Sequence, residues 1–502
     1  MINKVKASLT GQKAAVGVLI LLGVVLRLRQ YLTGRSLWTD EAMLALNIVN
    51  RDFIGLFKPL DYDQGSPIGF LLVEKIANSF FGRSEYALRL VPLIVGIASI
   101  WLFYLLLKRT TRGAGLLTAL ALFILNPRLV YYSSEVKQYI LDVAVTLGLL
   151  LFADRLFDPK PQKRDFLWMA LAGFAGIWFS QPALFVLAGI GLALVIFYLR
   201  KHDYSNLGYL IGIGFLWVAT ISLLYFLVLR NLQQNAFIRE YWQGAFLPFP
   251  PWSDIGWFKL SINGIIATQF GIPYGTYFVF ALMLLGWMIL WRRNQNYAIT
   301  LGLIFIITLA ASALQLYPVA ERMVLFLIPM GLLLLGKTVE ALYQSLQKRQ
   351  VLRIIATLIL SGYLLYGPLV TSTGYFIKPK YFEHIRPSMG FLQESLRPGD
   401  SMYVSNGAVP AFEYYAPIYG LKDVEYISSE RDDYKNPNNI LGKLETLKGK
   451  PRVWILMSHV YEKGDFNEKD FILNYLNQMG EKKREFRMPG TSVFLYLYDL
   501  EN

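Results

Sequence analysis

Apolar residues in this chain come in long unbroken runs separated by short polar gaps. The runs approach the length at which a helix crosses roughly 30 Å of hydrocarbon while satisfying its own backbone. They fall at residues 14–28, 87–107, 115–125, 139–156, 166–179, 183–199, 207–229, 277–291, 298–314, 324–335 and 354–370. The pattern predicts an α-helical polytopic membrane protein with about eleven transmembrane helices. Two stretches between the first and second runs differ. Residues 41–58 set Leu44, Ile48, Val49, Phe53, Leu56 and Phe57 among polar positions, and Glu74, Lys75 and Asn78 interrupt residues 68–81. Both predict amphipathic interfacial helices in the first outer loop, a shelf suited to a lipid headgroup.

From about residue 375 the pattern turns charged and mixed. Strand candidates at 401–404, 424–427, 453–457 and 493–498 alternate with helical patterns such as 468–479, which predicts a small α/β domain. The organisation expected is therefore a transmembrane unit over residues 1–374 and a soluble extracytoplasmic α/β domain over 375–502. The tail lacks a phosphate-cradling glycine motif, and a lid or an acceptor-binding module is its plain reading. Gly189-Ile190-Gly191 and Gly212-Ile213-Gly214 lie inside apolar runs with no preceding strand, so they are assigned to helix packing.

Charge gives the orientation. Lys4, Lys6 and Lys13 precede the first run; Lys108, Arg109 and Arg112, then Arg155, Lys160, Lys163 and Arg164, then Arg200 and Lys201, Arg292 and Arg293, and finally Lys348, Arg349 and Arg353 mark every second loop. The short intervening loops carry only Arg128, Lys137 and Arg322. Basic loops stay in the cytoplasm, so the amino terminus is expected inside a cell (inner) membrane and the carboxyl-terminal domain outside. Arg27, Arg29 and Arg35 break the rule beside a long loop, where the rule is weak. The first run has a signal peptide's length but no small-residue cleavage site, and is read as an anchor. The net charge of +14 is thus loop bias, and nucleic acid is not an expected partner. The chain has no cysteine, which removes disulfides, thiolate metal sites and thiol catalysis.

Three outer segments carry the chemistry. Leu37-Trp38-Thr39-Asp40-Glu41-Ala42 places two carboxylates at the start of an interfacial helix. Thr39 or Asp40 could cap that helix and Glu41 could answer its dipole, or the acidic pair could supply a general base. Tyr131-Tyr132-Ser133-Ser134-Glu135-Val136-Lys137-Gln138-Tyr139 adds a carboxylate and a cation; its tyrosines read either as interface residues or as the lining of a polar cavity. Glu321-Arg322 puts a forked guanidinium at the mouth of an apolar run, where it either snorkels or meets a phosphate. The aromatic loop 231–273 reads as an interface anchor, or more sharply as a cover for a donor chain.

Taken in order, Trp38-Thr39-Asp40-Glu41-Ala42, Asp61-Tyr62-Asp63-Gln64-Gly65-Ser66-Pro67, Ser133 to Tyr139 and Glu321-Arg322 resemble bacterial family 39 glycosyltransferases, the group of protein O-mannosyltransferases and lipid A aminoarabinose transferases with the GT-C fold. The resemblance covers roughly the first 370 residues. It implies an inverting glycosyltransferase at the extracytoplasmic face that moves a sugar from a polyprenyl-phosphate-linked donor to a hydroxyl acceptor on protein, lipid or glycan, among membrane lipids. It makes Asp40 the catalytic base with Glu41 beside it, Glu135 a further acid, and Tyr62 and Asp63 donor-site residues. Aminoarabinose transferases resemble a Glu-Lys pair where this chain has Asp63-Gln64, so the phosphate contact is assigned to Arg322 and Lys137. A divalent cation, magnesium or manganese, through Asp40 and Glu135 is left open; His202, His384 and His459 are scattered without zinc spacing. The rival class is a transporter or flippase of lipid-linked sugars, which would place charges at midspan and broken helices in two matching halves.

Overall fold

The protein is described by a computed structural model over residues 2–501, with side chains from residue 11 onward; the side chains of Lys4 and Lys6 lie outside the described set. Helices occupy every expected apolar run. The first ten are α1 (Ile2–Tyr31), α2 (Thr39–Asn50), α3 (Ile68–Phe81), α4 (Glu85–Thr110), α5 (Gly113–Leu125), α6 (Pro127–Tyr132), α7 (Tyr139–Leu156), α8 (Lys163–Phe179), α9 (Ala183–Arg200) and α10 (Tyr204–Leu224). Thr276–Arg293, Gln295–Ala313, Ile328–Ser345 and Gln350–Ile377 complete the bundle. Among the described residues, eight helices are long and apolar enough to cross a membrane by themselves. The others fall short for identifiable reasons: α5 has 13 residues, α8 has 17, and α7 carries Asp142, Asp154 and Arg155 within its length.

The core of the bundle lies along Ile328–Ser345 and the turn before it, whose apolar window is 89% buried, against 22% for α1 and for Gln350–Ile377, which present most of their surface outward. A side chain that must meet lipid needs only to be apolar, whereas one that meets a helix must also fit. The fit is close where Gly115 of α5 meets Gly336: a Cβ on Gly115 would clash with the Gly336 carbonyl oxygen.

Both amphipathic stretches are helical. α2 ends at Asn50, short of the expected residue 58, and a 3-10 turn at Gly55–Phe57 carries the remaining apolar residues. The second outer segment folds into α6, with Pro127 at its start and the Asn126 side chain accepting from the Arg128 and Leu129 amides. Tyr131 and Tyr132, which could have been interface residues, are buried.

The tail forms a mixed five-stranded sheet. Its strands are β1 (Ser401–Val404), β2 (Ile427–Ser428), β3 (Val453–Met457), β6 (Glu481–Phe486) and β7 (Phe494–Asp499), and β4 (Glu462–Lys463) pairs separately with β5 (Phe466–Asn467). Spatial order is β2-β1-β3-β7-β6, with β1 parallel to both neighbours and β7 antiparallel to both of its own. Strand β3 is buried along its whole length, and β1 along all but its first residue, with apolar residues throughout, which is why their sequences announce them. Edge strand β6, Glu-Lys-Lys-Arg-Glu-Phe, is exposed at five of six positions and carries no hydrophobic alternation. Charge at an edge suits negative selection against further pairing, and it hides the strand from pattern reading.

Gly115→Ala is expected to lower the detergent melting temperature by several degrees, because overpacking a helix contact costs about 1–3 kcal/mol. Gly148→Ala, whose Cβ would meet nothing within 4 Å, leaves it unchanged or raised; differential scanning fluorimetry of both variants measures the contrast.

Candidate active site

The first turn of α2 carries Asp40 and Glu41, and the two carboxylates face different surroundings. Trp38 is the residue before the helix, in extended conformation, and its side chain makes no capping bond. Neither Thr39 nor Asp40 caps the helix. The free Thr39 N–H donates instead to Glu383 Oε2 at 2.8 Å, across 344 residues of sequence.

Glu41 is fully buried. Arg89, on the first turn and a half of α4, grips it with two bonds, Nε to Oε1 at 2.9 Å and Nη2 to Oε2 at 2.6 Å. The Val136 amide also donates to Oε1 at 2.9 Å. Burial pushes the Glu41 carboxyl up, but Arg89 and then Arg35 outweigh it and hold the group below the usual carboxylate range. The expectation that Glu41 stands beside Asp40 as a second acid therefore meets a different geometry: both oxygens are taken up by Arg89, and Oε1 also by the Val136 amide of the loop that carries Glu135 and Lys137.

Asp40 is partly exposed, its side chain 18% accessible. Lys137 Nζ lies 3.0 Å from Oδ1 and Arg322 Nη2 lies 3.3 Å from Oδ2. The second contact is an ion pair without hydrogen-bond alignment, since Asp40 Oδ2 and Arg322 Nε both lack a hydrogen-bond partner. Lys137 Nζ also donates to Gln64 Oε1 at 2.7 Å. Arg322 stands over the rings of Tyr139 and Trp242, 5.8 Å from each centroid, so the aromatic loop 231–273 reaches the site through Trp242. Burial raises the Asp40 carboxyl, and the two cations more than reverse this, leaving it below its ordinary value.

Glu135 is the counterpart. Trp38 Nε1 donates to its Oε1 at 2.9 Å, and Oε2 has no partner. Burial, then the neighbouring Glu41 charge, push this carboxyl up to about 7. Two acids in one site are thereby held in opposite protonation tendencies, a division that acid–base chemistry uses. Asp40, Lys137 and Arg322, drawn from three distant segments, come together, with Glu135 on the same loop as Lys137.

Tyr62 and Asp63 immediately precede Gln64, both in left-handed backbone conformation. The Tyr62 hydroxyl donates to Glu413 Oε2 at 2.5 Å, and Asp63 receives Asn235 Nδ2 at 2.6 Å and Arg431 Nη1 at 2.5 Å. In this structure the pair ties the first outer loop to the C-terminal domain, while Asp63 still lines the groove described below.

Comparison with known proteins matches this picture. The family model described as dolichyl-phosphate-mannose-protein mannosyltransferase matches residues 65–226. The crystal structure of ArnT from Cupriavidus metallidurans in the apo state superposes with a TM-score of 0.56 at 13% identity, covering 96% of this chain and 98% of that one. The same protein bound to undecaprenyl phosphate gives 0.54. The apo oligosaccharyltransferase of Archaeoglobus fulgidus gives 0.53 at 12% identity, over 89% of this chain and 69% of that one. A search of curated protein sequences finds no match. This chain has the fold of ArnT and of the Archaeoglobus fulgidus oligosaccharyltransferase.

Sequence reasoning missed three sets of residues around the site. Arg89 carried a readable signal, an arginine inside an apolar run, which requires a partner at that depth. Arg35, set aside as a breach of the charge rule, is buried and donates to the Ser134 carbonyl at 2.8 Å and hydroxyl at 3.0 Å, fixing the same loop as Glu41. Glu383 and His459 gave no local signal, since their role depends on how the C-terminal domain docks. For a divalent cation the residues fit poorly: both oxygens of Asp40 face cationic nitrogens, and among the described residues no three His, Asp or Glu side chains gather.

The raised Glu135 carboxyl makes a stability prediction. The folded protein retains a proton that the unfolded chain releases near pH ~4.3, so stability falls as pH rises from there through about 7,. Glu135→Gln removes that loss. Melting curves from pH 5 to pH 8 are expected to drop further for wild type than for the variant.

Proposed function

We propose that this protein moves a sugar from a polyprenyl-phosphate donor to a hydroxyl acceptor, on protein, lipid or glycan, with inversion at the anomeric carbon. The observation that supports this most directly is Asp40 held between Lys137 and Arg322, with Lys137 also bonded to Gln64, which lines a groove. The groove is polar where Asp63, Gln64 and Ser66 line it, and apolar where it continues between α8, α9 and α10 past Ile177, Leu184 and Leu224. A headgroup at the polar end with its chain along the apolar end suits an amphipathic lipid phosphate. ArnT has been crystallised with such a lipid, undecaprenyl phosphate.

In the proposed step the acceptor oxygen attacks the anomeric carbon while Asp40 takes its proton. The new carbon–oxygen bond forms as the bond from the anomeric carbon to the phosphate oxygen breaks, and the phosphate leaves with the electron pair. A phosphate monoester is a stable anion, so Lys137 and Arg322 replace an acid by stabilising its developing charge. The same two cations hold Asp40 weakly basic in the empty site. A bound phosphate shares them, which raises the proton affinity of Asp40 only when the donor is in place. Glu135, mostly protonated below about pH 7, orients Trp38 without adding a second negative charge beside Asp40. The site's own cations serve the role otherwise open to magnesium or manganese.

The ion pairs around Asp40 lie in the outer segments, which favours an enzyme over a flippase,. The loop charges support an extracytoplasmic site in a cell (inner) membrane, with a cytoplasmic amino terminus.

Purified protein in detergent, given polyprenyl-phosphate sugars and hydroxyl acceptors, tests the chemistry. Asp40→Asn is expected to lose transfer by on the order of 10²–10⁴-fold with an unchanged melting temperature, and Arg322→Gln on the order of 10²-fold. EDTA is expected to leave the wild type active. Near-normal transfer by folded Asp40→Asn would sink the assignment.

Orientation has its own test, made simple by a chain without cysteine. In intact spheroplasts, Lys463→Cys is expected to react with a membrane-impermeant maleimide and Lys160→Cys only after lysis; the reverse order inverts the topology.

A further inference from the structure

The carboxyl-terminal domain docks on the segment that leads into α2. The Leu37 amide donates to the Tyr415 hydroxyl at 2.8 Å, Ser36 N–H to His384 Nδ1 at 3.2 Å, and Arg386 Nη1 to the Gly34 carbonyl at 3.1 Å. Arg83, at the far end of the first outer loop, donates to the Tyr414 carbonyl at 2.6 Å. One contact differs from these in kind. Glu383 Oε2 takes the Thr39 N–H at 2.8 Å and lies 2.9 Å from the Thr39 hydroxyl, which also donates to the Gly407 carbonyl at 2.5 Å. Glu383 Oε1 lies 2.7 Å from His459 Nδ1. The His459 ring stands 6.2 Å from the Trp38 ring, which in turn bonds Glu135.

A helix whose first amide has no local cap needs an acceptor there, and a negative charge at that end is further favoured by the helix dipole. Both demands are met at α2 by a residue of the other domain. The residue next to that amide is Asp40. We propose that Glu383 and His459 are positioning residues of the transferase: the C-terminal domain caps α2 in trans, and the His459–Glu383–Thr39 chain holds Asp40 at its reacting position. The proposal rests on Asp40 being the base.

His459 makes the device responsive to pH. The groups facing it are Glu383, Asp40 and Glu468, all acidic, and its bond to Glu383 together with their charges outweighs burial and raises its proton affinity. The charged pair is therefore complete below that raised value and is lost as pH rises through it, when Glu383 keeps the cap but loses its partner.

Hydrogen–deuterium exchange and transfer kinetics on the full-length protein in detergent test this together. Glu383→Ala is expected to speed exchange of the 39–42 amides about tenfold and to lower kcat about tenfold with donor KM within about twofold. Glu383→Gln, whose amide oxygen can still accept from Thr39, is expected to recover most of both. His459→Gln is expected to flatten the alkaline limb of kcat without moving donor KM. Arg83→Ala, which removes a docking contact but no cap, is expected to match wild type. The proposal is overturned if Glu383→Ala leaves the 39–42 amides unchanged, or if Arg83→Ala reproduces its effect on them. Because exchange needs no substrate, faster exchange in Glu383→Ala upholds the cap even where wild type shows no transfer, which would strike the transferase reading alone.

Discussion

The buried pair of Glu41 and Arg89 is the constraint on which the site is built. Two charges removed from water are costly, and the cost is offset only when every donor and acceptor is used. Here Arg89 spends its remaining donors on the Arg35 and Ser36 carbonyls, while Glu41 also receives the Val136 amide. One ion pair thus locks three segments together: the chain entering α2, the top of α4 and the loop bearing Glu135 and Lys137. Any shift of one segment against another would leave a charge unpaired at depth. That demand converts separate loops into a rigid frame, and Asp40 and Lys137 acquire fixed positions as a consequence.

Within that frame, neighbouring acids are differentiated by what surrounds them. Asp40 has two cations and stays ionised. Glu135 has an indole N–H, a nearby carboxylate and little water, and so it favours the proton. Glu41 is fully buried. Chain proximity is a poor guide to these roles: Asp40 and Glu41 are adjacent and point to opposite tasks, because consecutive residues on a helix project about 100° apart. The same cations that quiet Asp40 in the empty site are the natural counterions of a phosphate, which links base strength to donor occupancy.

The tail extends this logic across domains. Residues 375–502 seat on the first outer loop through many hydrogen bonds, the contact at Thr39 among them. Tyr62 and Asp63 belong to that seam as well as to the groove. An outer domain that grips the chain just before the proposed base is placed to affect reactivity without contacting a substrate.

The sequence by itself determined the solvent, the helices and the segments that matter. Apolar run length reports directly on lipid, since hydrocarbon admits no unsatisfied backbone. Uncommon polar residues at the ends of such runs report on chemistry, and so Asp40, Glu135, Lys137 and Arg322 were all legible. Pattern also gave the buried strands β1 and β3 and the helix Glu468–Met479, and it failed at the charged edge strand β6, which has no apolar face to show. Only the tertiary structure decided which way each charge points. Whether Glu41 reacts or braces, whether Arg35 breaks a rule or holds a loop, and whether Glu383 belongs to the tail or to α2 depend on partners tens or hundreds of residues away. Burial and pairing are properties of the assembled fold, and no local window of sequence contains them.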